Sequence, residues 1–120
     1  TARGESKEDS NELAMAYFEM SHAQNTSACR VISERLLGRV NREPDNRNIF
    51  ASVQSIFLLH SLSIKGELMQ QERRLRTYLL GCLAEKVELL KLADVVKVVS
   101  YVNRMDIIDM ENTDFQHLKV

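Results

Sequence analysis

A chain of 120 residues fits one domain with a modest core, and its 44% hydrophobic content is too high for disorder. One proline and four glycines disfavour a turn-rich β fold and favour helices. A net charge of −1 gives no bulk argument for nucleic acid or for an anionic membrane surface.

No apolar run approaches the ~18 residues of a membrane span, so none is expected. Cys29 and Cys82 stand alone, outside any Cys-x-x-Cys pattern, and are expected as reduced thiols in helix seams. The opening residues Thr1 to Ser6 do not look like a signal peptide. The chain does not begin with Met, so processing or excerption is expected and a removed targeting segment stays open.

Residues 1–9 read as a polar lead and residues 10–120 as the folded domain. Ser6-x-x-Asp9 has the form of a capping box, with Ser10 an equal alternative. The first helix then shows Leu13, Ala16, Tyr17 and Met20 on one side. Gln24 to Ser27 is a turn, with Thr26 or Ser27 as the next cap. The second helix carries Ile32, Leu36, Leu37 and Val40, and stops near Asn41 because Pro44 disfavours helical geometry at Glu43.

The central stretch, Ile49 to Leu83, predicts a helical hairpin entered through Asp45 or Asn46. Its first half puts Ile49, Val53, Ile56, Phe57, Leu59 and His60 near one helical face. Gly66 is placed to end that helix in a left-handed conformation. Its second half aligns Met69, Leu75, Leu79, Leu80 and Leu83. A charged link, Glu85 to Glu88, leads to a fifth helix with Leu92, Val95, Val96, Val99 and Val102. The β-branched run from Asp94 to Val102 also suits a strand, but strict alternation would align Lys97 with Val95, Val99 and Tyr101, so helix is preferred. Ile107, Ile108, Phe115 and Leu118 predict one more short helix.

Two internal offsets organise the chain. An offset of 43 carries Leu36-Leu37-Gly38 onto Leu79-Leu80-Gly81, Leu13 onto Ile56 and Ala16 onto Leu59. An offset of 40 carries Ile56, Leu58, Leu59 and Leu62 onto Val96, Val98, Val99 and Val102. The expected fold is all-α: stacked antiparallel helical hairpins at about 10–43, 45–84 and 89–120, five to six helices in an α-solenoid-like right-handed array. Alignment of unrelated amphipathic helices would produce a similar pattern, and that alternative stays open.

Hairpins of this length resemble the α-solenoid class that includes HEAT and armadillo arrays. The phrase from Leu92 to Met105 is also similar to helices of the FAST-kinase-like and RAP-domain group, and Leu58 to Lys65 echoes it. That resemblance implies organellar RNA metabolism and a mitochondrial location, with a cytoplasmic one otherwise. No RAP-domain motif is present, and the resemblance carries no site residue over.

Charge is uneven along the chain. Residues 30–76 carry a net +4, against −3 before them and −2 after. Arg35, Arg39 and Arg42 are spaced to share one side of the second helix, and Arg73 and Arg76 one side of the fourth. Stacked hairpins would set these side by side as an arginine ridge fit for RNA phosphates, protein carboxylates or plain solvation.

Catalytic, cofactor and metal residues are not expected. His22, His60 and His117 have no ligand spacing, no Gly-rich phosphate loop is present, and the acids from Asp106 to Asp114 lack the regularity of a calcium loop. His60 reads as a packed histidine. The expected function is a non-catalytic module of a ribonucleoprotein assembly, such as a mitochondrial ribosome, contacting RNA and neighbouring subunits. The alternative is a protein-only scaffold that takes a partner helix or peptide in its grooves.

Overall fold

In the computed structural model, residues 7–65 and 67–106 are described. Helix α1, Lys7–His22, buries Ala14 and Tyr17 completely. It stops where Gln24 takes a left-handed φ of 59°. That turn lets the Asn25 N–H reach the Met20 carbonyl at 3.0 Å, the bond of a Schellman-type end. The Asn25 side chain then caps helix α2, Thr26–Arg42, by accepting the Ala28 N–H at 3.1 Å. The cap is therefore Asn25, not Thr26 or Ser27, which already lie in the first turn of the helix.

Asp45 and Asn46 cap no helix. Asn46 instead builds a loop: it accepts the Asn48 N–H at 2.8 Å and donates to Glu43 at 3.0 Å. Its carbonyl accepts the Tyr78 hydroxyl at 2.5 Å, and Lys86 Nζ donates to the Arg47 carbonyl at 2.8 Å and to Asn48 Oδ1 at 2.7 Å. The Ala51 N–H is taken by Asn11 Oδ1 of α1 at 3.0 Å. These side chains satisfy the loop backbone, so Ile49 and Phe50 enter the core without being helical.

Helix α3, Ser52–Ser63, begins after that loop. Helix α4, Gln70–Glu85, a 3₁₀ turn at Val87–Leu89 and helix α5, Leu92–Asp106, complete the described chain. No strand occurs among the described residues, so the run from Asp94 to Val102 is helical. Gly66 and the predicted short helix within 107–120 lie outside the described residues.

Helix α3 packs against α1, α4 and α5, while α2 packs against α1 and α4. Neighbours in the α1, α3, α5 series run parallel: Phe18 and His22 meet Phe57 and His60, and His60 and Ser63 meet Tyr101 and Arg104. One core cluster joins Ala14, Tyr17 and Leu36 to Leu58, Leu62 and Leu79. A second joins Ile56, Leu59, Leu80 and Leu83 to Val98, Val102 and Met105. Among the described residues the result is an all-α globule of five α-helices in two layers.

Two predicted seams have a different rotational phase. On α3 the buried residues include Ile56, Leu58, Leu59 and Leu62, whereas Val53 is 56% exposed and Phe57 36%. On α5 Val98, Val102 and Met105 are buried, whereas Leu92 and Val96 are exposed. Both helices are aliphatic on more than one side, so spacing alone leaves several faces to choose from.

Candidate functional site

The five arginines do not form one open ridge. Arg35, Arg42 and Arg73 are exposed, but Arg39 is buried with Nη1 2.9 Å from Glu43, and Arg76 is only 1% exposed. The cleft between α2 and α4 is lined by Glu34 and Leu37 on one side and Gln70, Gln71 and Arg74 on the other. At 100° per residue, Arg35, Arg39 and Arg42 point well away from that cleft. The stripes of α2 and α4 are therefore not brought side by side.

A polar network that the spacing of the sequence does not announce lies inside the fold. Glu72 is fully buried and accepts from the Tyr17 hydroxyl and from Lys65 Nζ, each at 2.5 Å. Its other oxygen accepts the Met69 N–H at 2.8 Å, which caps the start of α4. Burial first, and then the bond to Glu72, push the Tyr17 hydroxyl far above its ordinary range. A proton held this tightly makes the Tyr17 hydroxyl a fixed donor to Glu72. Beside it, a hollow of about 250 Å³ is lined by Ser21, Gln24, Thr26, Cys29, Ile64 and Lys65. Burial raises the Cys29 thiol, which disfavours the nucleophilic thiolate there. Both Cys29 and Cys82 are buried and unbridged.

The surface across α1, α3 and α5 is of another kind. Phe18 meets His22 edge-on at 4.3 Å and Phe57 at 4.9 Å. His22 and His60 lie 6.0 Å apart, and His60 meets Tyr101 at 5.0 Å. Arg104 covers the Tyr101 ring at 5.8 Å and donates to Ser63 Oγ at 3.1 Å. Phe57, His22 and Arg104 are exposed and the other rings half-buried, and Val53 and Ile64 extend the apolar strip along α3. Burial, then His22, then Arg104 hold the His60 imidazole below its ordinary pKa. Phe57 and His60, read from spacing as core residues, thus belong to a surface.

This face arises from the composition of α3, which contains no Asp, Glu, Lys or Arg. The middle helix of the layer can bury two sides against α1 and α5, and its third side is left apolar toward solvent. Charge returns only at the flanks, with exposed Glu12 and Glu19 on α1 and exposed Lys97 and Arg104 on α5. The hint in the sequence was the absence of charge through Ser52–Ser63, since an uncharged helix in a small domain has no solvating side.

Among the described residues no group of three His, Cys, Asp or Glu side chains could hold a metal ion, and no helix is long and apolar enough to cross a membrane. His117 and the acids from Asp109 to Asp114 lie outside the described residues. Comparison with protein-family models, curated proteins and solved structures finds no match to this chain.

Proposed function

We propose that this chain is a non-catalytic helical-hairpin module that binds a protein partner through the aromatic face of α1, α3 and α5. The observation that carries this reading is the contiguous, partly exposed set of rings around Phe57 and His60 on a helix without formal charge. Exposed apolar patches rimmed by polar residues mark interaction sites, and aromatic side chains dominate the energetics of protein interfaces. The rings pack edge-on or tilted against one another, and Arg104 covers Tyr101, so few ring faces are open for base stacking. Contact with RNA phosphates in a ribonucleoprotein assembly, the other reading, is left with Arg35, Arg42 and Arg73 after the burial of Arg39 and Arg76.

Selection of displayed helical peptides on the wild-type protein, counter-selected on a Phe57→Ser/Tyr101→Ser variant, tests the proposal. Peptides that bind the first and not the second are expected. In parallel, a labelled single-stranded RNA is titrated at about 50 and 200 mM salt, where phosphate contacts would lose affinity steeply. Salt-sensitive RNA binding abolished in Arg35→Glu/Arg42→Glu/Arg73→Glu, with no peptide selected, would replace the protein reading with the RNA one.

A further inference from the structure

The aromatic face carries opposite charge on its two flanks, with Glu12 and Glu19 exposed on α1 and Lys97 and Arg104 exposed on α5. The contacts across α3 fix the level of each along these parallel helices. Phe18 lies beside Phe57, so Glu19 stands level with Phe57 and Leu58. His60 lies beside Tyr101 and Ser63 beside Arg104, so Lys97, one turn before Tyr101, stands level with Ile56. The acid and the base thus share one level to within about two residues, ~3 Å, on opposite sides of Phe57. They do not reach each other, because α3 lies between them at a spacing of ~8–10 Å to either neighbour. Among the described residues neither Glu19 nor Lys97 makes an ion pair.

We propose that the partner of the aromatic face is a second copy of this chain, docked face to face about a twofold axis that runs along α3. The proposal rests on the reading of that face as a protein-binding surface and names its occupant. Rotation about such an axis lays α1 of each chain over α5 of the other and leaves every level unchanged. Glu19 of each chain then meets Lys97 of the other, once on either flank. Between the flanks Phe57 meets its own copy, as do Val53 and Ile64, which are 56% and 45% exposed. Glu12 falls near the level of Asp94, a half-buried acid, so the gain is carried by the two Glu19–Lys97 pairs and the apolar strip. A twofold axis across the helices would instead set the Glu12 and Glu19 flank of one chain against the same flank of the other, which charge disfavours. Three helices wide and three turns of α3 long, the strip offers on the order of 500 Å² per chain, or ~1,000 Å² in a dimer. That is the lower limit of a specific interface, so the dimer is expected to be reversible at micromolar concentrations.

Sedimentation equilibrium of the full chain at low salt, from micromolar to submillimolar concentration, should show a monomer–dimer equilibrium that Phe57→Ser weakens by about tenfold or more. Glu19→Lys and Lys97→Glu each turn two attractions into two repulsions and should each weaken it by about tenfold. An equimolar mixture of these two variants restores both opposite-charge pairs and should associate as the wild type does, an outcome that no contact within one chain produces. Glu19 and Lys97 are exposed, so both variants should fold, which circular dichroism checks. A monomer at every concentration overturns the proposal: helical peptides selected on the face would then assign it to a foreign helix, whereas failure of that selection as well would remove the protein-binding reading itself. A dimer untouched by Phe57→Ser overturns the proposal too, as does a variant mixture that stays dissociated. A chain that dimerises only as Phe115→Ser/Leu118→Ser would assign the face to residues 107–120 and overturn it for the native protein.

Discussion

Replacing Glu72 with alanine removes one carboxylate from three donors. The Tyr17 hydroxyl, fully buried, loses its acceptor, at about 1–3 kcal/mol. The Met69 N–H loses its cap at the start of α4, at about 0.5–2 kcal/mol. Lys65 loses its counter-ion; breaking a buried pair from one side costs about 3–5 kcal/mol, less here because the Lys65 side chain keeps 20% exposure and can turn to water. The three losses share one group and do not add, so Glu72→Ala should cost about 3–5 kcal/mol in total. Glu72→Gln preserves shape and an acceptor oxygen but not the charge, and should cost about 1–2 kcal/mol. Urea unfolding followed by circular dichroism at constant m-value measures both. A loss below about 1 kcal/mol for Glu72→Ala, or equal losses for the two variants, would refute the claim that the carboxylate anchors α1 and the α3–α4 link to α4.

Gly38 lies inside α2 with nothing within 4 Å of an added Cβ, so Gly38→Ala should stabilise by about 0.5–1 kcal/mol. Gly81→Ala should gain less, because its Cβ would meet Arg47 Nη1 at 3.3 Å; equal gains in thermal midpoint would contradict this. Gln24→Gly removes the Cβ from a left-handed residue and should raise stability by about 1 kcal/mol, read from the same melts. Arg76→Ala should destabilise clearly, whereas Arg35→Ala, on the surface, should stay within about 0.5 kcal/mol; similar small effects would mean that Arg76 is not held inside the fold. His60 has a folded pKa below its ordinary 6.5, so the unfolded state binds protons first. Its stabilising contribution is whole above that value and is lost as pH falls below it, and His60→Gln should lose less stability than wild type between about pH 7.5 and 5.5.

Periodicity was sufficient wherever a helix has one apolar side. Leu75, Leu79, Leu80 and Leu83 are spaced for one side of α4 and all are buried, the first two in the cluster with α1 and α2 and the last two in the cluster with α5. The position of Lys97 decided helix over strand for α5, and the residue is exposed on that helix. Phase was lost where aliphatic residues surround the axis: from Val95 to Val102, spacing selects several faces, and packing against α3 and α4 decides that Val98 and Val102 go inward. The arginine spacing failed for a related reason. It shows which residues share a side of a helix but not what covers that side, and Arg76 is buried while Arg73 on the same helix is exposed. The bond from Tyr17 to Glu72 spans 55 positions and has no local signature at all.

What the fold adds to the spacing is a division of labour within α3. Leu58 and Leu62 face backward, Ile56 and Leu59 forward, and Val53, Phe57, His60 and Ile64 outward. Twelve residues make about three turns, and three apolar sides leave no room for charge. An isolated helix of that kind would aggregate, so α3 is compatible with solution only as a middle element, with two sides taken by α1 and α5 and the third softened by imidazole, phenol and guanidinium groups. Helix α5 inherits the same plan one step along, with Val98 and Val102 backward, Val96 forward and Tyr101 outward. Of its four charged residues, Asp94, Lys97, Arg104 and Asp106, Lys97 and Arg104 are exposed on the flank that carries Tyr101. The proposed aromatic surface therefore follows from a single sequence property, an uncharged middle helix with more apolar sides than its neighbours cover.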